Sequence, residues 1–360
     1  MYLCPTLRRT AYGCAIIAFV VFGCHFLVGP QTTSTNHPGL LTTDLWTFDN
    51  DVNVHVRGKR DVLDYSEPRV NTMCSEAKDV FLLVLINSAP QNFYLRWTIR
   101  QTWGNLREYK GFNIRLVFVV GQLSGLDQRT DHLVRKESAK MNDMVIGDFH
   151  DTYYNLTAKT LFGMNWVRKY CSNSQFVVKG DDDVLVVPQN IIEYILELPP
   201  TEAEFLYEGA CQVNHEPMRN KENKWFISES EYPNATYPTY QLGVAVLHSY
   251  KALDIIYQAC YNVPSRMDVP LNFPFDDVFI GICAQLTEVQ PTCNNHIIVY
   301  KDREMRLFMR SRRQNCHLAT TLAVHGLNSR HSVKRRWRLL ENIDRKTFAN
   351  CTFNHTTTAT

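Results

Sequence analysis

Asp181, Asp182 and Asp183 follow one another between the apolar runs QFVVK and VLVVP. Adjacent carboxylates repel, so something positive should offset them. Their hard oxygens suit Mn²⁺ or Mg²⁺, and the C-terminal end of a buried strand is where open α/β sheets bind nucleotides. A solvated acidic turn is the plainer alternative. A second acidic pair, Asp276 and Asp277, lies just after Pro274 in NFPFDDVFIGICAQL. One Asp would suffice to cap the apolar helix that follows, and the other could act as a general base toward a hydroxyl. Arg96 and Arg100, four apart, share one helix face and could bind phosphates or brace acidic residues.

Those residues need elements to hold them. VFLLVLI (80–86) and IRLVFVV (114–120) are continuous apolar runs of strand length, which reads as buried strands of a mostly parallel sheet. Between them Leu95, Ile99 and Trp103 make a helical stripe facing the core. A short strand at 144–146, a helix over 156–170 and a strand at 176–179 continue the alternation, so the fold class is α/β.

A 19-residue stretch without formal charge, 10–28, with His25 its one awkward member, follows Arg8 and Arg9, and the next Lys or Arg is Arg57. At about 28 Å as a helix it is long enough to cross a bilayer, and the positive-inside bias puts residues 1–9 in the cytoplasm. The segmentation is a tail at 1–9, a signal anchor at 10–28, a stem at 29–77, a catalytic domain at 78–345 and a tail at 346–360. A cleaved signal peptide is the rival reading of the anchor. Three of the eleven cysteines precede or lie in the anchor, leaving eight in an oxidising lumen where disulfides are expected. Sequons at Asn155, Asn234, Asn350 and Asn354 agree with that address, although Asn155 could instead cap a helix.

The net charge of +2 excludes a wholly basic nucleic-acid coat, yet residues 301–346 carry 13 Lys or Arg against four Asp or Glu. A lumenal address keeps nucleic acid away. An anionic sugar nucleotide, a phosphorylated membrane surface or plain solvation fits that excess better.

Taken together, RWTIRQTWG (96–104), VFVVG (117–121), DFHDTYYNLTAKT (148–160), VKGDDDVLV (178–186), YPTY with Gly243, DDVFIG (276–281) and LAVHGL (322–327) with Trp337 resemble, in order, the motifs of the β1,3-glycosyltransferases. That family includes β1,3-galactosyltransferases, β1,3-N-acetylglucosaminyltransferases and, distantly, Fringe enzymes. The resemblance implies a GT-A type nucleotide-sugar-binding fold behind an N-terminal transmembrane helix, single-pass type II placement in the Golgi membrane, and inverting transfer from a UDP-sugar. It implies Asp181, Asp183 and His325 as ligands of Mn²⁺ (or Mg²⁺), Arg96, Arg100, Asp181 and Asp182 as donor-binding residues, and Asp277 as catalytic base. The acceptor would be a glycan on glycolipid or glycoprotein, with galactose the favoured donor sugar over an N-acetylhexosamine; homodimerisation stays open. Two departures from the family pattern stand out: Asp276 replaces a glutamate, and Gln241 and Leu242 replace Cys and Ser. They keep a catalytically silent sugar- or UDP-binding protein as the alternative, with a nucleotide-sugar hydrolase as a more remote one.

Overall fold

The computed structural model describes residues 73–74, 79–123, 128–267, 269–299, 319–326, 333–334, 337–338, 351 and 353. The anchor at 10–28, the sequons at Asn350 and Asn354, and most of the stem and of the basic 301–346 stretch lie outside them. Among the described residues no helix is long and apolar enough to cross a membrane.

The chain runs β1 (Val80–Asn87), α1 (Phe93–Arg100), β2 (Glu108–Tyr109), β3 (Phe112–Gln122), α2 (Gln128–Met141), β4 (Met144–His150), α3 (Leu156–Tyr170), β5 (Ser174–Asp181) and β6 (Val184–Val186). It continues through α4 (Pro188–Glu197), α5 (Pro200–Glu204), β7 (Tyr207–Gln212), β8 (Tyr240–Ser249), α6 (Tyr250–Cys260) and α7 (Val263–Met267). Last come α8 (Asp276–Gln285), β9 (Thr292–Cys293), β10 (Ile297–Val299) and β11 (Ala323–His325).

The main sheet is ordered β2-β3-β1-β5-β8-β7-β9, with β4 also paired to β3. β4, β3, β1 and β5 run parallel, whereas β8 is antiparallel to both β5 and β7. The expected mostly parallel sheet is therefore corrected to a mixed one. Parallel neighbours need a crossover helix, and only the first half of the chain supplies that alternation. β1 is buried at every position because both faces are covered, which explains its unbroken apolar run. One face packs against Leu161, Phe162 and Trp166 of α3, Leu253 of α6 and Phe279 of α8. The other packs against Ile99 of α1 and Ile191 and Ile195 of α4.

The α1 stripe needs correcting as well. The helix stops at Arg100, Trp103 lies in a separate 3-10 turn, and the buried side of α1 includes Arg96 and Arg100 beside Ile99. Charged side chains can occupy that face because their carboxylate partners are buried with them.

Three disulfides join Cys74 to Cys171, Cys211 to Cys293 and Cys260 to Cys283, and Cys351 is disulfide-bonded too. The first ties the segment before β1 to the end of α3. The second links β7 to the neighbouring β9, and the third clamps α6 to α8.

Candidate active site

Strand order reverses at β1, which has β3 on one side and β5 on the other, and the crevice beyond their C-terminal ends is the expected ligand position. Asp181 ends β5, and Asp182 and Asp183 form the turn into β6. Asp182 spans the switch point: its Oδ2 accepts from Ser88 Oγ at 2.6 Å and from Asn92 Nδ2 at 2.9 Å. Asp182 thus locks the β1–α1 loop to the β5 turn. Burial raises its pKa while those two donors oppose the rise.

His325 is brought to the same turn because β11 pairs antiparallel with β6, setting His325 opposite Val184. Its Nε2 lies 3.4 Å from Asp183 Oδ2, and that contact raises the imidazole pKa. Carboxylate oxygen and imidazole nitrogen are suitable donors for Mn²⁺. Among the described residues, however, no group of three or more His, Cys, Asp or Glu side chains is gathered closely enough to hold a metal unaided. The donor set fits a cation completed by ligands from a bound diphosphate or water.

Arg96 and Arg100 brace rather than reach outward. The Arg96 guanidinium is fully buried and donates to Glu137, Ser88 Oγ and the carbonyls of Ala89 and Pro90. Arg100 donates to both Asp143 oxygens at 2.7 Å and to Glu137 at 2.6 Å. Every guanidinium nitrogen of the pair expected to bind the donor is hydrogen-bonded to a protein acceptor, the bracing alternative that the spacing also allowed. By holding Ser88 and its neighbours, Arg96 shapes the loop that Asp182 grips.

Asp276 and Asp277 open α8, with Phe275 rather than either aspartate at the N-cap. Asp276 Oδ2 accepts from Lys179 Nζ at 2.8 Å and from Thr160 Oγ1 at 2.6 Å. Although one methylene shorter than glutamate, it reaches both partners. Asp277 remains partly exposed, and its Oδ1 accepts from the Val278 N–H at 2.8 Å. Burial, reinforced by the adjacent Asp276 charge, pushes its pKa up to about 7. Asp181 is pushed up to about 7 in the same way, by burial and then by Asp276 and Asp183, with Lys179 opposing.

Lys179 is the residue that the sequence reading passed over. It points from β5 on the same side as Asp181, and its pKa is raised because the attraction of Asp276 and Asp181 outweighs burial. A lysine following the apolar FVV of β5, two residues before Asp181, was the available signal. Its Nζ also approaches the Gly243 carbonyl at 3.3 Å. A Cβ at Gly243 would lie 3.4 Å from Lys179 Nζ and 3.9 Å from Asp277 Cβ, so side-chain bulk there would press on the pair.

Two further supports come from α3. Lys159 is buried between Asp151 and the Ser88 carbonyl, and Asp151 also accepts the Gly121 N–H. Thr160 links Asn87 to Asp276. Asn155 does not cap α3 through its side chain; its amide donates to the His150 carbonyl. Gln241, where the family pattern has Cys, faces Cys211 across the β7–β8 ladder, and Cys211 pairs with Cys293 instead.

The chain is 34% identical over 256 residues to the rat UDP-GlcNAc:betaGal beta-1,3-N-acetylglucosaminyltransferase 7, covering 70% of this chain and 62% of that protein. It is 32% identical over 215 residues to the mouse Beta-1,3-galactosyltransferase 1, covering 60% and 63%. Each alignment thus spans less than two thirds of the relative's own length. A solved structure of the galactosyltransferase LgtC with donor and acceptor sugar analogs superposes with a TM-score of 0.38 at 12% identity, over 75% of this chain and 99% of that one. The Galactosyltransferase family model matches residues 95–295, a span that runs from α1 past the Asp181–Asp183 turn to Asp277 and β9, and the chain belongs to that family.

Proposed function

We propose that the protein is an inverting β1,3-glycosyltransferase of GT-A type that transfers a hexosyl group, galactose or an N-acetylhexosamine, from a UDP-sugar to a hydroxyl of a glycan on glycolipid or glycoprotein. The observation that carries this reading is the convergence, in a chain of this family, of the Asp181–Asp183 turn and the Asp276–Asp277 pair around Lys179. The relatives' names include both N-acetylglucosaminyl and galactosyl transfer, so the donor is stated at that level. The uncharged 10–28 stretch and the disulfide-bonded cysteines support a type II protein of the Golgi lumen.

Asp277 acts as general base. A carboxylate poised near neutrality can take the proton of the acceptor hydroxyl as that oxygen attacks the anomeric carbon. One base suffices for inversion in a single displacement, unlike the paired carboxylates of most glycoside hydrolases. Asp276 is a positioning residue: Lys179 and Thr160 fix it, and it fixes the first turn of α8 on which Asp277 stands. Asp182, Ser88 and Arg96 hold the β1–α1 loop in the shape that would receive the diphosphate. Asp183 and His325, with Asp181 next to them, would hold Mn²⁺ or Mg²⁺. When bound, that cation would offset the charge of the departing UDP.

The full chain offered a panel of UDP-sugars and glycan acceptors, with and without EDTA, tests the reading. Metal-dependent, acceptor-dependent transfer is expected. UDP binding without transfer from any donor would leave a silent binding protein, and release of free sugar without acceptor dependence would mark a hydrolase.

A further inference from the structure

The surface carries aromatic rings that the chemistry above does not use. Tyr153, Tyr154 and Trp225 are 43%, 61% and 50% exposed. They come from separate parts of the chain: the tyrosines from the β4–α3 connection, the tryptophan from the 213–239 excursion between β7 and β8. Tyr153 and Tyr154 meet edge to face at 5.7 Å. Lys224 Nζ lies 4.3 Å from the Trp225 ring centroid and 6.0 Å from that of Tyr153, so it bridges the two parts of the cluster.

The excursion is built to hold Trp225 outward. Trp225 N–H donates to Asn223 Oδ1, and Phe226 N–H to the Asn223 carbonyl, closing a turn at the ring's base. Arg219 straps the loop through the carbonyls of Ile227 and Tyr232, over buried Tyr232 and Tyr237. Clustered aromatics held rigidly in solvent mark a binding surface. Its neighbour indicates the occupant: α3 begins just after Tyr153 and Tyr154, and its Thr157 Oγ1 donates to the Phe273 carbonyl at 2.6 Å, tying this corner to the segment that leads into Asp277.

We propose that Trp225, Tyr153 and Tyr154 form a stacking platform for the pyranose rings of the glycan acceptor, on the corner where the start of α3 docks ahead of α8. A pyranose presents one face of C–H groups, and these pack on the negative face of an aromatic ring while the sugar hydroxyls stay wet. Galactopyranose, whose axial hydroxyl leaves its other face continuous and apolar, is the sugar that suits such a platform best.

The inference rests on the transferase reading for the acceptor's role, but the platform can be tested without turnover. Full-chain protein is titrated by tryptophan fluorescence with β-galactoside-terminated and β-glucoside-terminated oligosaccharides, and acceptor and donor KM are measured alongside. Trp225→Ala should weaken galactoside binding and raise acceptor KM about tenfold, Trp225→Phe about threefold, with donor KM moving less than about twofold. Asn155→Gln, which removes a sequon beside Tyr154, should leave binding intact; improved binding would mean that the protein's own N-glycan occupies the surface, and would overturn the proposal. No glycan binding by the wild type, or unchanged binding and KM in a folded Trp225→Ala protein, would also overturn it. Trp225-dependent binding without transfer would uphold the platform and remove the transferase reading.

Discussion

Replacing Lys179 with Met should destabilise the protein severely, and the reason can be traced atom by atom. Lys179 Nζ sits 2.8 Å from Asp276 Oδ2, with the two side chains only 9% and 11% exposed. Without the ammonium, Asp276 is left buried and unpaired beside Asp277 and near Asp181. Breaking a buried pair from one side costs about 3–5 kcal/mol, whereas replacing both members with apolar groups is close to neutral. Lys179→Met with Asp276→Leu should therefore recover about 2 kcal/mol or more, the remainder reflecting the lost Thr160 hydrogen bond. Asp276 is held below its ordinary 3.8 chiefly by Lys179, against burial, so its contribution is complete above that value and is lost as pH falls through the lower folded one. Lys179 is held above its ordinary 10.5, so its contribution is complete below 10.5. Urea unfolding at neutral pH, followed by tryptophan fluorescence, measures the coupling. A loss below about 1 kcal/mol in Lys179→Met, or a double variant no more stable than the single one, would refute the argument.

Asp277→Asn should abolish transfer while retaining UDP binding, and should raise stability at neutral pH by about 1 kcal/mol, after discounting a shift of roughly three pKa units for solvent access. Because Asp277 titrates higher folded than unfolded, its unfavourable contribution is full above about pH 7 and fades as pH falls toward 3.8; kcat/KM in the wild type should rise with pH through about 7. Asp183→Ala should weaken Mn²⁺-dependent UDP binding at least tenfold by calorimetry, with His325→Ala having a smaller effect; unchanged binding in both would remove them as ligands. Replacing Cys74 and Cys171 with Ala opens a loop of 97 residues and should cost about 4–5 kcal/mol in denaturant unfolding. Gly281→Ala would set a Cβ 2.5 Å from Tyr240 Cβ and 3.1 Å from its backbone, pushing α8 off β8; a loss of about 1–3 kcal/mol with reduced kcat is expected, because α8 carries Asp277.

Much of this was legible in the chain. Apolar runs with both faces covered announce buried strands, so β1, β3 and the helix over Leu156–Tyr170 emerge from sequence alone. The acidic residues at 181–183 and 276–277 stand out because charges flanking apolar segments are costly unless used. What the local pattern left open was partnership. Arg96 and Arg100 on one helix face suit phosphate as well as carboxylate, and only the packing of α2 and the Asn142–Asp143 turn against them assigns them to Glu137 and Asp143. Likewise Lys179 reads as an ordinary strand lysine until β5, α3 and α8 meet and surround it with Asp181, Thr160 and Asp276. The residue types available for chemistry are therefore a property of the sequence. Which of them pair, brace or stand exposed was decided by contacts distant in the chain, from about 40 residues for Arg96 with Glu137 to more than 90 for Lys179 with Asp276 and Thr160 with Asp276, because burial and charge neighbours exist only once the sheet and its helices have closed around them.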